Sequence, residues 1–170
     1  MDVEMRQLSG LDAESFSALR RRVTADNPVP MGLTLEEELK RPLQGFREQL
    51  SAPAPNAAFG IFIDERLRAC AALAWTSKFP SSTHKALLWG CFVDPLFRGR
   101  GLGRHVVSKA LNHARQNSVR RVNLTVFLPN QAAVTLYESL GFEPYGLEPE
   151  AVCLDGKYHG GQHMTLVVAA

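Results

Sequence analysis

Leu87-Leu88-Trp89-Gly90-Cys91-Phe92-Val93-Asp94-Pro95-Leu96-Phe97-Arg98-Gly99-Arg100-Gly101-Leu102-Gly103-Arg104 is the stretch from which the rest of the chain can be placed. The run from Leu87 to Val93 is apolar and too short for a helix. It is stopped by Asp94-Pro95 and followed by glycines alternating with Arg100 and Leu102. That order reads as strand, loop, helix. From Leu102 the apolar residues Val106, Val107, Ala110, Leu111 and Ala114 recur at helical spacing, so the glycines fall where the first turn of a helix leaves its N–H groups unpaired. Lacking Cβ atoms, Gly99, Gly101 and Gly103 permit positive φ and close approach of a ligand to the amides. The helix dipole and Arg98, Arg100 and Arg104 favour negative charge there, so a phosphate or pyrophosphate is the ligand such a loop would hold.

Spacing tests the nucleotide folds. A dinucleotide fingerprint needs glycine at relative positions one, three and six, and counting from Gly99 the sixth position is Arg104. A P-loop needs Gly-Lys followed by Ser or Thr, and Gly156-Lys157 is followed by Tyr158. Both fail. What fits is Arg98-x-x-Gly101-x-Gly103 between a strand ending in Val-Asp-Pro and an amphipathic helix. This resembles the GNAT superfamily of N-acetyltransferases, whose Arg/Gln-x-x-Gly-x-Gly/Ala motif wraps the pyrophosphate of acetyl-coenzyme A. A second segment, Asn130-Gln-Ala-Ala-Val-Thr-Leu-Tyr137-Glu-Ser-Leu-Gly141-Phe142, resembles the Asn-x-x-Ala-x-x-Leu-Tyr-x-x-x-Gly-Phe stretch of many members. Together the two cover the C-terminal half; the N-terminal strand and helices match only in order.

A chain of 170 residues can bury one core and is short for two domains, so a single α/β domain over 1–170 is expected. With 45% apolar and 21% charged residues it reads as an ordinary globular protein. A formal net charge of +2 is too small to argue for nucleic acid or a membrane surface as the main partner, and neither is expected. The opening Met1-Asp2-Val3-Glu4 lacks the basic start and apolar core of a signal peptide, and no apolar run approaches the roughly 20 residues that span a bilayer, so a cytoplasmic protein is expected. Cys70, Cys91 and Cys153 are far apart in apolar surroundings and read as small buried hydrophobes. Cys and His show no metal-ligand spacing, so no metal site is expected.

In chain order, Val3 to Leu8 reads as a strand, and Phe16, Leu19 and Val23 mark an amphipathic helix from Leu11 that ends before Asn27-Pro28. Thr34-Leu35-Glu36-Glu37 has the form of a capping box opening a helix to about Lys40, with Phe46 and Leu50 continuing an apolar face beyond Pro42. The basic run Arg20-Arg21-Arg22 reads as a solvated helix face. Ala58–Ile63 and Arg68–Thr76 form a hairpin, Lys78–His84 a loop, and Arg121–Leu128 a strand parallel to Leu87–Val93 across the intervening helix. A helix follows Pro129-Asn130 and is capped by Gly141, and Asp155-Gly156 turns the last two strands.

The resemblance implies a central mixed, largely antiparallel sheet with one parallel, splayed strand pair flanked by helices. It implies acetyl-CoA as cosubstrate, a primary amine as acceptor, and transfer by direct attack. Carried onto this chain, the backbone at Cys91 and Val93 would bond the pantetheine arm, and an amide near Cys91 or Phe92 would face the thioester oxygen. Arg98, Gly99, Arg100, Gly101, Leu102, Gly103 and Arg104 would hold the pyrophosphate. Asn130 would bond pantetheine or acceptor, with a helix N-cap as its other reading, and Tyr137 would give a proton to the leaving thiolate. The Cys91 thiol itself reads as packing. Pairing through C-terminal strands, common among members, implies a homodimer. No general base is legible: Lys85–Val93 has no carboxylate and Thr125 stands where some members have Glu, leaving a water chain to His84, Glu138 or solvent. A degenerate CoA-binding sensor or partner protein is the alternative.

Overall fold

Two largely apolar strands, β2 (Ala57–Ile63) and β3 (Arg66–Ala74), are buried on both faces and lie inside the sheet. Alternation sorts their side chains. Ala57, Phe59, Ile61, Ile63, Ala69, Ala71 and Leu73 enter one core, while Ala58, Phe62, Cys70 and Ala72 enter the other. The turn between them is Asp64-Glu65, both at positive φ, as a tight hairpin requires.

In the computed structural model residues 1–168 are described. The remaining elements are β1 (Val3–Gln7), α1 (Ala13–Asp26), α2 (Leu35–Lys40), α3 (Leu43–Leu50), β4 (Lys85–Val93), α4 (Leu102–Gln116), β5 (Arg121–Phe127), α5 (Gln131–Ser139), β6 (Glu143–Leu154) and β7 (Lys157–Val167). They build a seven-stranded sheet in the order β1-β2-β3-β4-β5-β7-β6, in which β4 and β5 are parallel and every other pair antiparallel. This is the expected mixed α/β architecture. Val106, Val107, Ala110, Leu111 and Ala114 of α4 fill the core on one face; Phe16, Leu19 and Val23 of α1 with Phe46 and Leu50 of α3 fill the other. No helix among the described residues is long and apolar enough to cross a membrane.

The sheet parts between β4 and β5. The β4–β5 ladder holds only from Lys85–Leu87 to Arg121–Asn123, after which the strands diverge. At the divergence β4 carries a bulge: Cys70 pairs with Phe92 but Ala72 pairs with Trp89, so Gly90 and Cys91 together face Ala71. Gly90 sits at φ 62, and a bulge of this kind bends its strand.

Three expectations are corrected. Cys153 is exposed on β6 at the sheet edge, so only Cys70 is a fully buried cysteine. Leu11 is 97% exposed in a short turn of 3-10 helix, and α1 begins at Ala13. The arginine run is a solvated face only at Arg21 and Arg22. Arg20, four residues after Phe16, falls on the inner face of α1 and gives Glu38 of α2 two hydrogen bonds, Nε to Oε1 at 2.7 Å and Nη2 to Oε2 at 3.0 Å, with both side chains buried. Arg22, though itself exposed, reaches the buried Asp94 at 2.8 Å, and Arg21 is exposed as expected.

Candidate active site

The loop after β4 is held from below. Asp94 caps the turn Pro95–Phe97 by accepting the Leu96 N–H, and its Oδ2 also accepts from Arg22 and from Arg68 at 2.7 Å. Burial alone would push the Asp94 carboxyl up, but the Leu96 N–H and the two guanidinium groups outweigh it and hold it below the ordinary carboxylate range. From that anchor the chain passes through Gly99 at φ 76 and Gly101 at φ 79 into α4. The first helical bond is His105 N–H to the Gly101 carbonyl at 3.1 Å, so the amides of Leu102, Gly103 and Arg104 precede it and stay free to donate. Gly103 differs from its neighbours: it lies inside the first turn without positive φ, and a Cβ there would make ordinary contact with Leu136 and Val93.

The arginines are not equivalent. Arg98 is paired with Asp26 at 2.8 Å, whereas the Arg100 guanidinium lies over the Phe97 ring at 4.8 Å and Arg104 bonds the Ser139 hydroxyl. Among the described residues neither Arg100 nor Arg104 has a carboxylate within salt-bridge reach.

Two cavities open from the gap between β4 and β5. One, of about 440 Å³, runs past the loop and is lined by Cys91, Phe92, Val93, Arg98, Gly99, Gly101, Leu102, Gly103, Arg104, Asn130 and Tyr137. Of the residues expected at the site, only Arg100 is absent from this lining. The other, of about 330 Å³, lies between β4, β5 and the Pro30-Met31 segment, with Trp89, Thr125 and Phe127 on its wall. Six residues line both: Pro30, Cys91, Phe92, Asn130, Ala133 and Tyr137.

At this junction the side chains are desolvated. Burial, then the neighbouring Cys91 thiol, raises the Tyr137 phenol well above its ordinary range. Burial likewise pushes the Cys91 thiol up to about 12, with the Tyr137 hydroxyl working against it. Asn130 caps α5, its Oδ1 accepting the Ala133 N–H at 3.2 Å, while still facing both cavities. The Tyr137 ring is fixed edge-on against Phe142 with centroids 5.6 Å apart.

The family model for the acetyltransferase (GNAT) family matches residues 19–142. The chain belongs to this family. A mycothiol acetyltransferase of Thermobispora bispora is 37% identical over 137 residues, 78% of this chain and 43% of that protein. The chain thus spans less than half the length of the curated relative it matches. Among solved structures, a GNAT acetyltransferase of Streptococcus pneumoniae superposes with a TM-score of 0.81 at 22% identity, covering 98% of this chain and 99% of its own. A Salmonella typhimurium protein solved with its cofactor acetyl-CoA gives 0.79 at 16%, covering 99% and 95%. At those identities the likeness concerns the GNAT fold.

The proton acceptors considered from sequence do not reach the junction. His84 lines a separate cavity with Trp75 and Lys78, where its carbonyl holds the start of β5, and Glu138 is exposed on α5 and lines neither cavity. Sequence reading missed Gly90, whose signal was an isolated glycine within a strand pattern. It also missed His163, which bridges Thr125 and Glu148 and carries no motif of its own.

Proposed function

We propose that this chain transfers the acetyl group of acetyl-CoA to a primary amine of a small molecule or peptide by direct attack. The observation that carries the reading is the meeting of the two cavities at Cys91, Asn130 and Tyr137, which would let two substrates reach one point, each from its own cavity. The loop suits a pyrophosphate: Gly99 opens onto free space at positive φ, three helix-start amides are available, and two arginines carry no carboxylate partner. The strand edge at Cys91 and Val93, unpaired beyond Leu87 on the β5 side, would bond the pantetheine amides, and the Asn130 amide nitrogen would add a donor. An amide at Cys91 or Phe92 would meet the charge developing on the thioester oxygen.

Tyr137 serves as the hydrogen-bond donor to the departing sulfur. With its pKa raised above the ordinary value of about 10, it is protonated throughout the neutral range. Complete transfer of its proton to a thiolate whose conjugate acid lies near 8.5 is uphill. Its contribution is therefore the hydrogen bond, and the proton the sulfur finally carries comes from the attacking amine. A Cys91 thiol at about 12 supplies almost no thiolate at neutral pH, which supports direct attack over an acetyl-cysteine intermediate.

A second reading, a CoA-binding sensor without turnover, is favoured by one observation: no carboxylate lines either cavity. The test is calorimetric titration with acetyl-CoA, then mass spectrometry of a panel of primary amines that includes the acceptor of mycothiol acetyltransferases. Binding with a +42 Da product supports the enzyme, binding with no product supports the sensor, and no binding rejects both.

A further inference from the structure

The polar face of the β5-β7-β6 half of the sheet holds a connected set that the reading above leaves unused. Val122, Leu124 and Val126 of β5 point into the core, so Thr125 points the other way, into the wall of the smaller cavity. His163 pairs directly across from it on β7, and the Thr125 hydroxyl lies 2.8 Å from His163 Nδ1. On the far side of the ring, Nε2 is 3.3 Å from Glu148 Oε2 on β6. The Tyr145 ring stacks on the imidazole at 5.8 Å and 26°. From β6, then, Glu148 and Tyr145 face the imidazole, and from β5, Thr125.

In the neutral ring, Nδ1 accepts from the Thr125 hydroxyl when the ring proton sits on Nε2, the nitrogen beside the Glu148 carboxylate. We propose that Thr125, His163 and Glu148 form the proton relay that frees the acceptor amine, an inference that rests on the acetyl-transfer reading. An alkyl ammonium in the smaller cavity gives one proton to Thr125 Oγ1 while the hydroxyl's own proton passes to His163 Nδ1. The positive charge moves from ammonium to imidazolium, where Glu148 compensates it. The neutral amine then forms the C–N bond as the C–S bond breaks, and its second proton ends on the coenzyme A sulfur beside Tyr137. The imidazolium returns its proton to solvent along the open side, where Glu148 is 53% exposed. Thr125 is the member that touches substrate; His163 and Glu148 act through it.

The test takes the best alkylamine acceptor from the panel and measures kcat/KM from pH 6 to 10 for wild type, His163→Gln and Glu148→Gln, with acetyl-CoA affinity followed by calorimetry. His163→Gln should lower kcat/KM by about 10²- to 10³-fold at pH 7, with the deficit shrinking toward pH 10, where roughly a third of an alkylamine is already free. Glu148→Gln should cost about tenfold or less, and acetyl-CoA affinity should not change. Added imidazole should restore part of the rate to His163→Gly. A wild-type rate in His163→Gln, a deficit independent of pH, or acetyl-Thr125 found by mass spectrometry without acceptor would each overturn the relay while leaving acetyl transfer intact. Bound acetyl-CoA with no amine turned over by wild type would remove the acetyl-transfer reading, and the relay with it.

Discussion

What sets Tyr137 apart is burial beside Cys91 at the point where two cavities meet. Tyr137→Phe keeps the ring against Phe142 and removes only the hydroxyl, so stability and acetyl-CoA affinity should be near wild type. Loss of that hydrogen bond to the departing sulfur should lower kcat by roughly 10²- to 10³-fold if chemistry limits turnover, and steady-state kinetics with the best acceptor measures this. The cysteines give a test that needs no acceptor. At pH 8 a thiol at about 12 is ionised in only about one molecule in ten thousand, and Cys70 is raised well above its ordinary value by full burial. Iodoacetamide should therefore label the exposed Cys153 first, with Cys70 and Cys91 following only on unfolding, as peptide mass spectrometry would report. Tyr137 and Asn130 were legible because they belong to one short helix whose motif is local. Cys153 was misjudged because apolar neighbours in sequence say nothing about a strand's place at the sheet edge, and His163 was invisible because its partners lie 38 and 15 residues away on other strands.

At the scale of elements, the loop and the bulge do different work. Gly101 sits at φ 79 as the N-cap of α4, a conformation that costs a side-chain-bearing residue about 1–2 kcal/mol, and Val would also screen the amides. Gly101→Val should therefore weaken acetyl-CoA binding more than Arg100→Ala, whose guanidinium rests on Phe97 outside the cavity lining. Gly103→Ala separates backbone strain from ligand approach, since its added methyl meets only ordinary contacts; the fold should be unchanged and any lost affinity reports how closely the cofactor passes. Calorimetry on the three variants decides, and full affinity in Gly101→Val with none in Arg100→Ala would end the amide-cradle account. Gly90→Val should lower the thermal midpoint and loosen the strand gap together, because the bulge that bends β4 depends on its φ of 62. Element order, the hairpins and the capping box at Thr34 could be read from sequence because each is written within a few residues: Thr34 Oγ1 does accept the Glu37 N–H at 3.1 Å. The bulge was less legible, since a glycine in a strand does not say which partner strand it faces.

Across the whole molecule, two buried carboxylates that local reading could not pair with their arginines hold the N-terminal helices, Glu38 joining α1 to α2 and Asp94 joining α1 to the sheet. Helical period alone set Arg20 on the face of Phe16, but its partner Glu38 is 18 residues away on α2, and Arg22 joins Asp94 across 72 residues. Asp94 links three parts at once, α1, β3 and the loop, and its lowered pKa has a definite sign. The stability it contributes is complete above its unfolded pKa of about 3.9 and is lost as pH falls through the lower folded value. The gap in urea midpoint between wild type and Asp94→Asn should accordingly stay constant from pH 7 to about 5 and close below about 4. The Arg20–Glu38 pair allows a sharper test, because a buried ion pair need not add stability over an apolar pair of similar size while a half-pair is costly. Glu38→Ala should destabilise by about 3–5 kcal/mol, leaving Arg20 charged among Phe16, Phe46 and Phe92. The double variant Arg20→Met with Glu38→Leu should recover most of that loss in urea unfolding. It should keep acetyl-CoA affinity, since neither residue lines the cavity proposed for the cofactor, while acceptor KM should change because Arg20 lines the other. A double variant as unstable as Glu38→Ala alone would mean that the pair, and not merely its completeness, holds α1 and α2 in place.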